Sequence, residues 1–317
     1  MKKTLIASAV AAATFSGAAL ADAHMPTVYG NIQYALAYSD VKGGESGLEH
    51  FDNGTTIGLS HEHEIAPGVT GFYKLELERI GADDKAGSNG VAGLDEAYIG
   101  AQGDFGKVWV GSDDSTYERA AVLIGNFHEV GSNIFTLGDT GEGDLIQYET
   151  PSFGGLTVGA AVQVNGENDA KGGTDKSFPY QLAATYSVDA LTVAFAMDSN
   201  DGGQSDNNEN TYGLTGTFNA GNLSIIGEYQ TRKDVADIYG IMGVYGLGAN
   251  QFALSYQVQD NEAGDELDTV ILQALHNVSD HMYVYAEGYL LGGDDGSFGV
   301  ADESEASVAA VGAVYYF

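Results

Sequence analysis

Phe252-Ala253-Leu254-Ser255-Tyr256-Gln257-Val258-Gln259 alternates bulky apolar residues with small or polar ones. In a strand, successive side chains point to opposite faces. Phe252, Leu254, Tyr256 and Val258 therefore share one face, and Ser255, Gln257 and Gln259 share the other. Working outward, the same period of two recurs over segments of about ten residues. Val28, Ile32, Tyr34, Leu36 and Tyr38 oppose Asn31, Gln33 and Ser39. Ile57 and Leu59 oppose Thr56, Gly58, Ser60 and Glu62, while Val69, Tyr73, Leu75 and Leu77 oppose Thr70, Lys74, Glu76 and Glu78. Comparable sets run through Val158–Val164, Leu191–Met197, Thr211–Phe218 and Leu223–Gln230. Helical periodicity is scarce, and after the N-terminus no apolar run approaches the ~20 residues of a membrane helix.

Short turn signals join these segments in pairs: Ala66-Pro67-Gly68, Gly103 to Gly106, Pro151 to Gly155, Val188 to Ala190, Asn219 to Asn222, Gly248 to Asn250 and Asn277 to Asp280. The other connections read as long, acidic and rich in Gly and Asn: Asp40 to Asn53, Gly81 to Ala92, Ser112 to Gly143, Gly166 to Lys176, Asn200 to Glu209, Arg232 to Ala236, Asp260 to Leu267 and Gly292 to Ala306. Short turns at one end and long loops at the other describe an outer-membrane barrel. The expectation is an all-β fold, a 16-stranded antiparallel transmembrane β-barrel. Sixteen strands of about ten residues leave room for every turn and loop. A soluble β-sandwich also alternates. Two features point away from it: the polar faces carry few Lys or Arg, and tyrosines fall near strand ends (Tyr29, Tyr38, Tyr98, Tyr117, Tyr148, Tyr186, Tyr283, Tyr285, Tyr315, Tyr316), as interfacial girdles do.

Composition narrows the function classes. The 317 residues include 12 Lys+Arg against 45 Asp+Glu, a formal net charge of −33, and no Cys. Cysteine-based frameworks, zinc sites and nucleophiles are excluded. Nucleic acid is excluded as a partner, since phosphate binding needs basic residues. Met1-Lys2-Lys3, an uncharged apolar run from Leu5 and the small-x-small Ala19-Leu20-Ala21 have the layout of a cleaved secretory signal peptide over residues 1–21. The mature domain, 22–317, then has 10 basic residues against 45 acidic ones.

Several blocks resemble Gram-negative general porins. Thr27-Val28-Tyr29-Gly30-Asn31-Ile32 is similar to that family's first strand. Glu96-Ala97-Tyr98-Ile99-Gly100 through Gly103-Asp104-Phe105-Gly106 to Val110-Gly111 resembles the strand–turn–strand before the constriction loop, and Asp144 to Leu156 the strand and turn after it. Val314-Tyr315-Tyr316-Phe317 resembles the terminal strand whose Phe, here Phe317, is read by the barrel assembly machinery. The resemblance implies a homotrimeric pore in the outer-membrane lipid that passes small hydrophilic solutes by diffusion, with no enzyme activity and no cofactor. It also implies a third long loop folded into the lumen. That loop is Ser112 to Gly143, 32 residues long.

In the family an acidic loop faces basic wall residues. At the positions where the resemblance places wall arginines, this chain has Thr56, Ser112 and Gln147. The loop carries Asp113, Asp114, Glu118, Glu129, Asp139 and Glu142 against Arg119 alone. These seven are the candidate constriction residues. Lys74, Glu76, Asp95 and Lys107 are the candidate wall residues, with Arg79 a further cation. Six acids against one base point to cation preference. Alternatives on the same barrel are a substrate-specific channel, for sugars for example, favoured if aromatic residues track the lumen, or an adhesin acting through its loops. No Ser/His/Asp set has informative spacing.

Other patterns are weaker. His61-Glu62-His63-Glu64 places two His on one strand face but lacks the zinc-protease spacing, so no metal site is expected. Asp198 to Gly203 and Gly292 to Gly296 miss the full calcium-loop pattern. Gly154-Gly155 and Gly292-Gly293 read as turns.

Overall fold

A computed structural model describes residues 25–87, 90, 93–131, 135–138, 140–164, 177–201 and 209–317. The region of the expected signal peptide lies outside them. Seventeen strands run in chain order: β1 (Thr27–Val41), β2 (Ser46–Asp52), β3 (Thr56–Ala66), β4 (Val69–Glu78), β5 (Gly93–Gly103), β6 (Gly106–Ser112), β7 (Leu145–Glu149), β8 (Leu156–Gln163), β9 (Tyr180–Val188), β10 (Leu191–Asp198), β11 (Thr211–Ala220), β12 (Leu223–Arg232), β13 (Ala236–Leu247), β14 (Asn250–Asn261), β15 (Glu266–Ser279), β16 (Met282–Gly293) and β17 (Glu305–Tyr316). Among the described residues a single short helix, α1 (Thr116–Ala121), lies between β6 and β7.

All pairings are antiparallel; from β3 onward each strand pairs with its neighbour in sequence, and β1 closes on β17 from Asn31↔Tyr316 to Val41↔Ala306. Both β2 and β3 pair with β1, so together they form one stave interrupted at residues 53–55. The barrel therefore has sixteen staves. Closure leaves no edge with unpaired N–H and C=O groups, which hydrocarbon does not tolerate.

Parity sorts the two faces as the alternation predicts. On β14, Leu254 is 55% exposed and the adjacent Ser255 is 1% exposed; on β15, Leu272 is 59% and Gln273 is 0%. The outward set continues with Ile32, Leu36, Leu59, Val193, Phe195, Leu214 and Ile241. Exposed apolar side chains opposite buried Gln, Ser and Thr are the reverse of a water-soluble sheet, and they place lipid outside and polar groups inside.

Four expectations need correction. Residues 40–53 are not an open loop, because β1 and β2 extend as a hairpin around residues 42–45. The connections after β12 and β14 are tight, with residues 233–235 and 262–265 between strands. Gly292-Gly293 lies within β16, paired with Asp268 and Leu267. Six of the ten supposed girdle tyrosines are not on the lipid face. Tyr29, Tyr98, Tyr283, Tyr285 and Tyr316 point inward and Tyr117 belongs to the loop, whereas Tyr38, Tyr148, Tyr186 and Tyr315 are exposed outside. The physical reason is parity: Tyr283 and Tyr285 alternate in step with Glu287, and a carboxylate cannot face lipid.

An arginine on the outer face tests the assignment. Leu214→Arg on β11 should destabilise the barrel by about 2–4 kcal/mol, read from the urea midpoint for refolding into vesicles. Arg at inward Thr217 should move that midpoint by no more than about 0.5 kcal/mol.

Candidate functional site: the docked loop and the charged wall

The chain leaves the wall at Gly111, whose φ of +131° and lack of a side chain let it pass the Ala97 backbone. Only glycine takes that conformation without strain. Ser115 then caps α1, its Oγ accepting from Glu118 N at 3.1 Å. The helix packs on small wall residues. Tyr117, Ala120, Ala121 and Val122 are buried with Ala183, Ala194 and Ala196 of β9 and β10. A side chain at Gly213 would run into Ala121. Farther along, Ile124 and Phe127 pack with Met242, Val244 and Ala253, and Phe135 and Leu137 with Ala236 and Ile238.

Three inward carboxylates of the wall hold the loop's backbone. Glu228 Oε2 accepts from Leu123 N and Ile124 N, both at 2.9 Å. The two Glu287 oxygens accept from Glu129 N and Val130 N, both at 2.9 Å. Asp198 accepts from Thr140 N at 3.2 Å and Thr140 Oγ1 at 2.5 Å. Gln181 accepts from Tyr117 N at 2.9 Å, and Gln230 accepts from Tyr117 Oη at 2.9 Å and Leu137 N at 3.2 Å. Hydrogen bonds to charged acceptors are the stronger kind. One segment reaches Asn53 on one side and β7 through β16 on the other, always on the polar parity. Within a closed barrel, only a segment on the inside can do so.

A charged zone flanks the start and end of this loop. Lys74 Nζ lies 2.7 Å from Glu96 Oε2 and 3.2 Å from Glu76 Oε2. A bulge between β4 and β5 pairs Glu76 with Glu96 and Leu77 with Leu94, leaving Asp95 as the extra residue. Asp95 therefore also turns toward Glu76 instead of toward lipid. Tyr29 Oη donates to Glu76 at 2.6 Å. On the loop, carboxylate oxygens of Asp114, Glu118 and Glu142 come within 4.8 Å of one another. Burial, then the neighbouring Glu118 carboxylate, pushes Glu142 up to about 8. Asp114 is raised by burial and by Glu118 and Asp113.

The sequence is matched by a family model described as Gram-negative porin over residues 7–296. The chain belongs to the Gram-negative porin family. It is 28% identical to a monosaccharide porin of Halomonas sp. across the whole of both chains. Its fold is similar to an anion-selective porin from Comamonas acidovorans, with a TM-score of 0.75 at 20% identity, covering 92% of this chain and 99% of that one. It is also similar to the trimer form of OmpT from Vibrio cholerae, with a TM-score of 0.63 at 15% identity over 92% and 99% of the two chains. This porin is a channel protein of the outer membrane and not an enzyme.

Of the loop residues singled out from sequence, Asp113, Asp114, Glu118, Arg119 and Glu142 gather near Lys74, Glu76, Asp95 and Lys107. Glu129 does not join them. Its carboxylate accepts from Tyr283 Oη at 3.0 Å at the far wall, where burial and Glu287 push it up to about 7. Asp139 lies outside the described residues. Arg79 stands at the end of β4, exposed and paired with Glu78 at 2.9 Å. His61 and His63 stack at 5.2 Å on the same outward parity as Ile57 and Leu59. The acidic stretch at Asp198 is a loop anchor, and Asp294 accepts from Glu266 N at 2.8 Å. Sequence reasoning missed Glu96, Asp198, Glu228 and Glu287. A signal was present for Glu228, which stands among apolar and amide residues on the inward parity of β12. The helix was missed as well, although Ser115-x-x-Glu118 is a capping pattern.

Glu228→Ala would leave Leu123 N–H and Ile124 N–H buried without an acceptor, a cost of about 1–3 kcal/mol each. Hydrogen exchange at these two amides should quicken by at least about tenfold, while exchange in β12 and β13 stays unchanged.

Proposed function

We propose that this porin is a water-filled diffusion channel for small hydrophilic solutes, narrowed by the loop 112–143 and preferring cations. The observation that carries the reading is that the basic side chains of the charged zone are matched by neighbours while acids remain in excess. Lys74 is held by Glu76 and Glu96. Arg119 is held by Asp113. Lys107 lies 4.3 Å from the Trp109 ring centroid and 5.1 Å from that of Phe72. Asp95, Asp114, Glu118 and Glu142 have no such basic partner at salt-bridge distance among the described residues. A lumen of one sign concentrates counter-ions, within a screening length of about 10 Å at 0.1 M salt. On this reading residues 1–21 are a cleaved signal peptide and Phe317 is the signal for the barrel assembly machinery. The assembly is a homotrimer, in keeping with the trimer form of the Vibrio cholerae barrel.

A second reading is selectivity for sugars. The Halomonas relative is a monosaccharide porin, and aromatic rings do face inward here: Tyr29 on β1, and Phe72, Tyr98 and Trp109 on the adjoining staves β4, β5 and β6. Competitive block of ion current by one monosaccharide at millimolar concentration would support it.

Reversal potentials of the purified protein in a salt gradient test the main reading. Cation preference is expected, and anion preference would overturn it. The pH dependence has a definite sign. Glu142 is raised to about 8, so it is largely neutral at pH 6 and ionised at pH 9. The cation-to-anion permeability ratio should therefore rise between those pH values, by roughly two-fold. Glu142→Gln should flatten that rise.

A further inference from the structure

Trp109 is the only tryptophan of the chain. It lies on the inward parity of β6 and is 3% exposed. Three charged residues meet its indole. Its Nε1–H donates to Asp113 Oδ2 at 2.7 Å. Lys107 Nζ stands 4.3 Å and Arg119 Cζ 5.1 Å from the ring centroid. Directly across the β6–β7 ladder, Trp109 pairs with Gln147, whose side chain is fully buried. Gln147 Oε1 accepts from Arg119 Nη2 at 3.1 Å and from Thr116 Oγ1 at 2.8 Å, and its Nε2 donates to the Asp114 carbonyl at 3.1 Å. Arg119 Nη1 also donates to the Asp114 carbonyl and lies 3.5 Å from Asp113 Oδ2, and its Nη2 lies 3.5 Å from Thr116 Oγ1.

The guanidinium is thus spent on one knot. Its central carbon lies over an indole, and its fork reaches a buried amide, a carbonyl and a carboxylate. A lysine matches the charge of this group but neither the planarity nor the fork. The knot joins the first turn of the loop to two wall strands, beside the acids that give the lumen its sign. Resting on the reading of residues 112–143 as the loop that narrows a conducting pore, we propose that Arg119 is a positioning residue. It fastens the root of the loop to Trp109 and Gln147 and so sets the opening, instead of acting as a charge that solutes meet.

The lone tryptophan supplies a readout separate from conduction. Wild type, Arg119→Lys, Arg119→Gln and Gln147→Leu are compared by tryptophan emission, acrylamide quenching and single-channel current. If Arg119 fastens the loop, Lys behaves like Gln. Both variants shift the emission to longer wavelength, raise quenching by about two-fold or more and add open-channel noise, because neither provides the planar fork. Gln147→Leu keeps the arginine charge, removes its wall acceptor and gives the same loosening, and it serves if the Arg119 variants do not assemble. The proposal is overturned if Arg119→Lys matches wild type in emission and noise while Arg119→Gln changes only the reversal potential. It is equally overturned if Gln147→Leu matches wild type. Wild-type protein that carries no current would defeat the pore reading itself, and the emission series would still decide whether Arg119 fastens the loop.

Discussion

Inside hydrocarbon a backbone N–H or C=O has no water to turn to, and leaving it unpaired costs several kcal/mol. The structure follows from that constraint twice. In the wall it is met by sixteen staves, each paired on both sides, with β1 sealed to β17. Inside the barrel it returns in a different form, because the long segment after β6 brings irregular backbone against a wall whose own ladder is already saturated. There the side chains of Asp198, Gln181, Glu228, Gln230 and Glu287 supply the acceptors. The wall's inward carboxylates therefore belong to the architecture as much as to the electrostatics.

This division of labour bears on how the acidity is read. Of 45 acidic residues, some ring the loops and some line the interior, and two contrasting kinds stand out among the interior ones. Glu228 and Glu287 are saturated by loop amides under the loop, at 5% and 4% exposure, so they hold backbone in place. Asp114, Glu118 and Glu142 crowd one another. A pool of like charges held that close keeps part of its protons near neutrality. The local field is therefore set by spacing as well as by the number of acids, and formal net charge overstates it.

The barrel was legible because lipid imposes a strict rule on alternate residues, as at Leu254-Ser255 and Leu272-Gln273. The segment after β6 was legible by its length. What stayed hidden depends on registers that a single strand does not reveal. The bulge that turns Asp95 and Glu96 the same way needs β4 laid beside β5. Tyr283 and Tyr285 were assigned to the membrane boundary from their position near a strand end, although Glu287 on the same parity marks their face as inward. Lengths of polar connections misled where acidic residues continued a strand, as in β2 and at the tops of β12 to β15. Among candidate site residues, those at the loop's root were found because they crowd in sequence. The wall acids that grip it are scattered from 198 to 287 and share only a place in space.

The seam between β1 and β17 has a consequence for biogenesis. Gly30 and Phe317 exchange both backbone hydrogen bonds, Gly30 N to Phe317 O at 3.2 Å and Phe317 N to Gly30 O at 3.1 Å. β1 therefore stays half-paired until β17 is in place. A chain cut short before residue 305 loses both ladders of β17 and leaves β1 and β16 with open edges. The cylinder is thus only as complete as its closing strand, and Gly30 and Phe317 are the pair that bolts it shut.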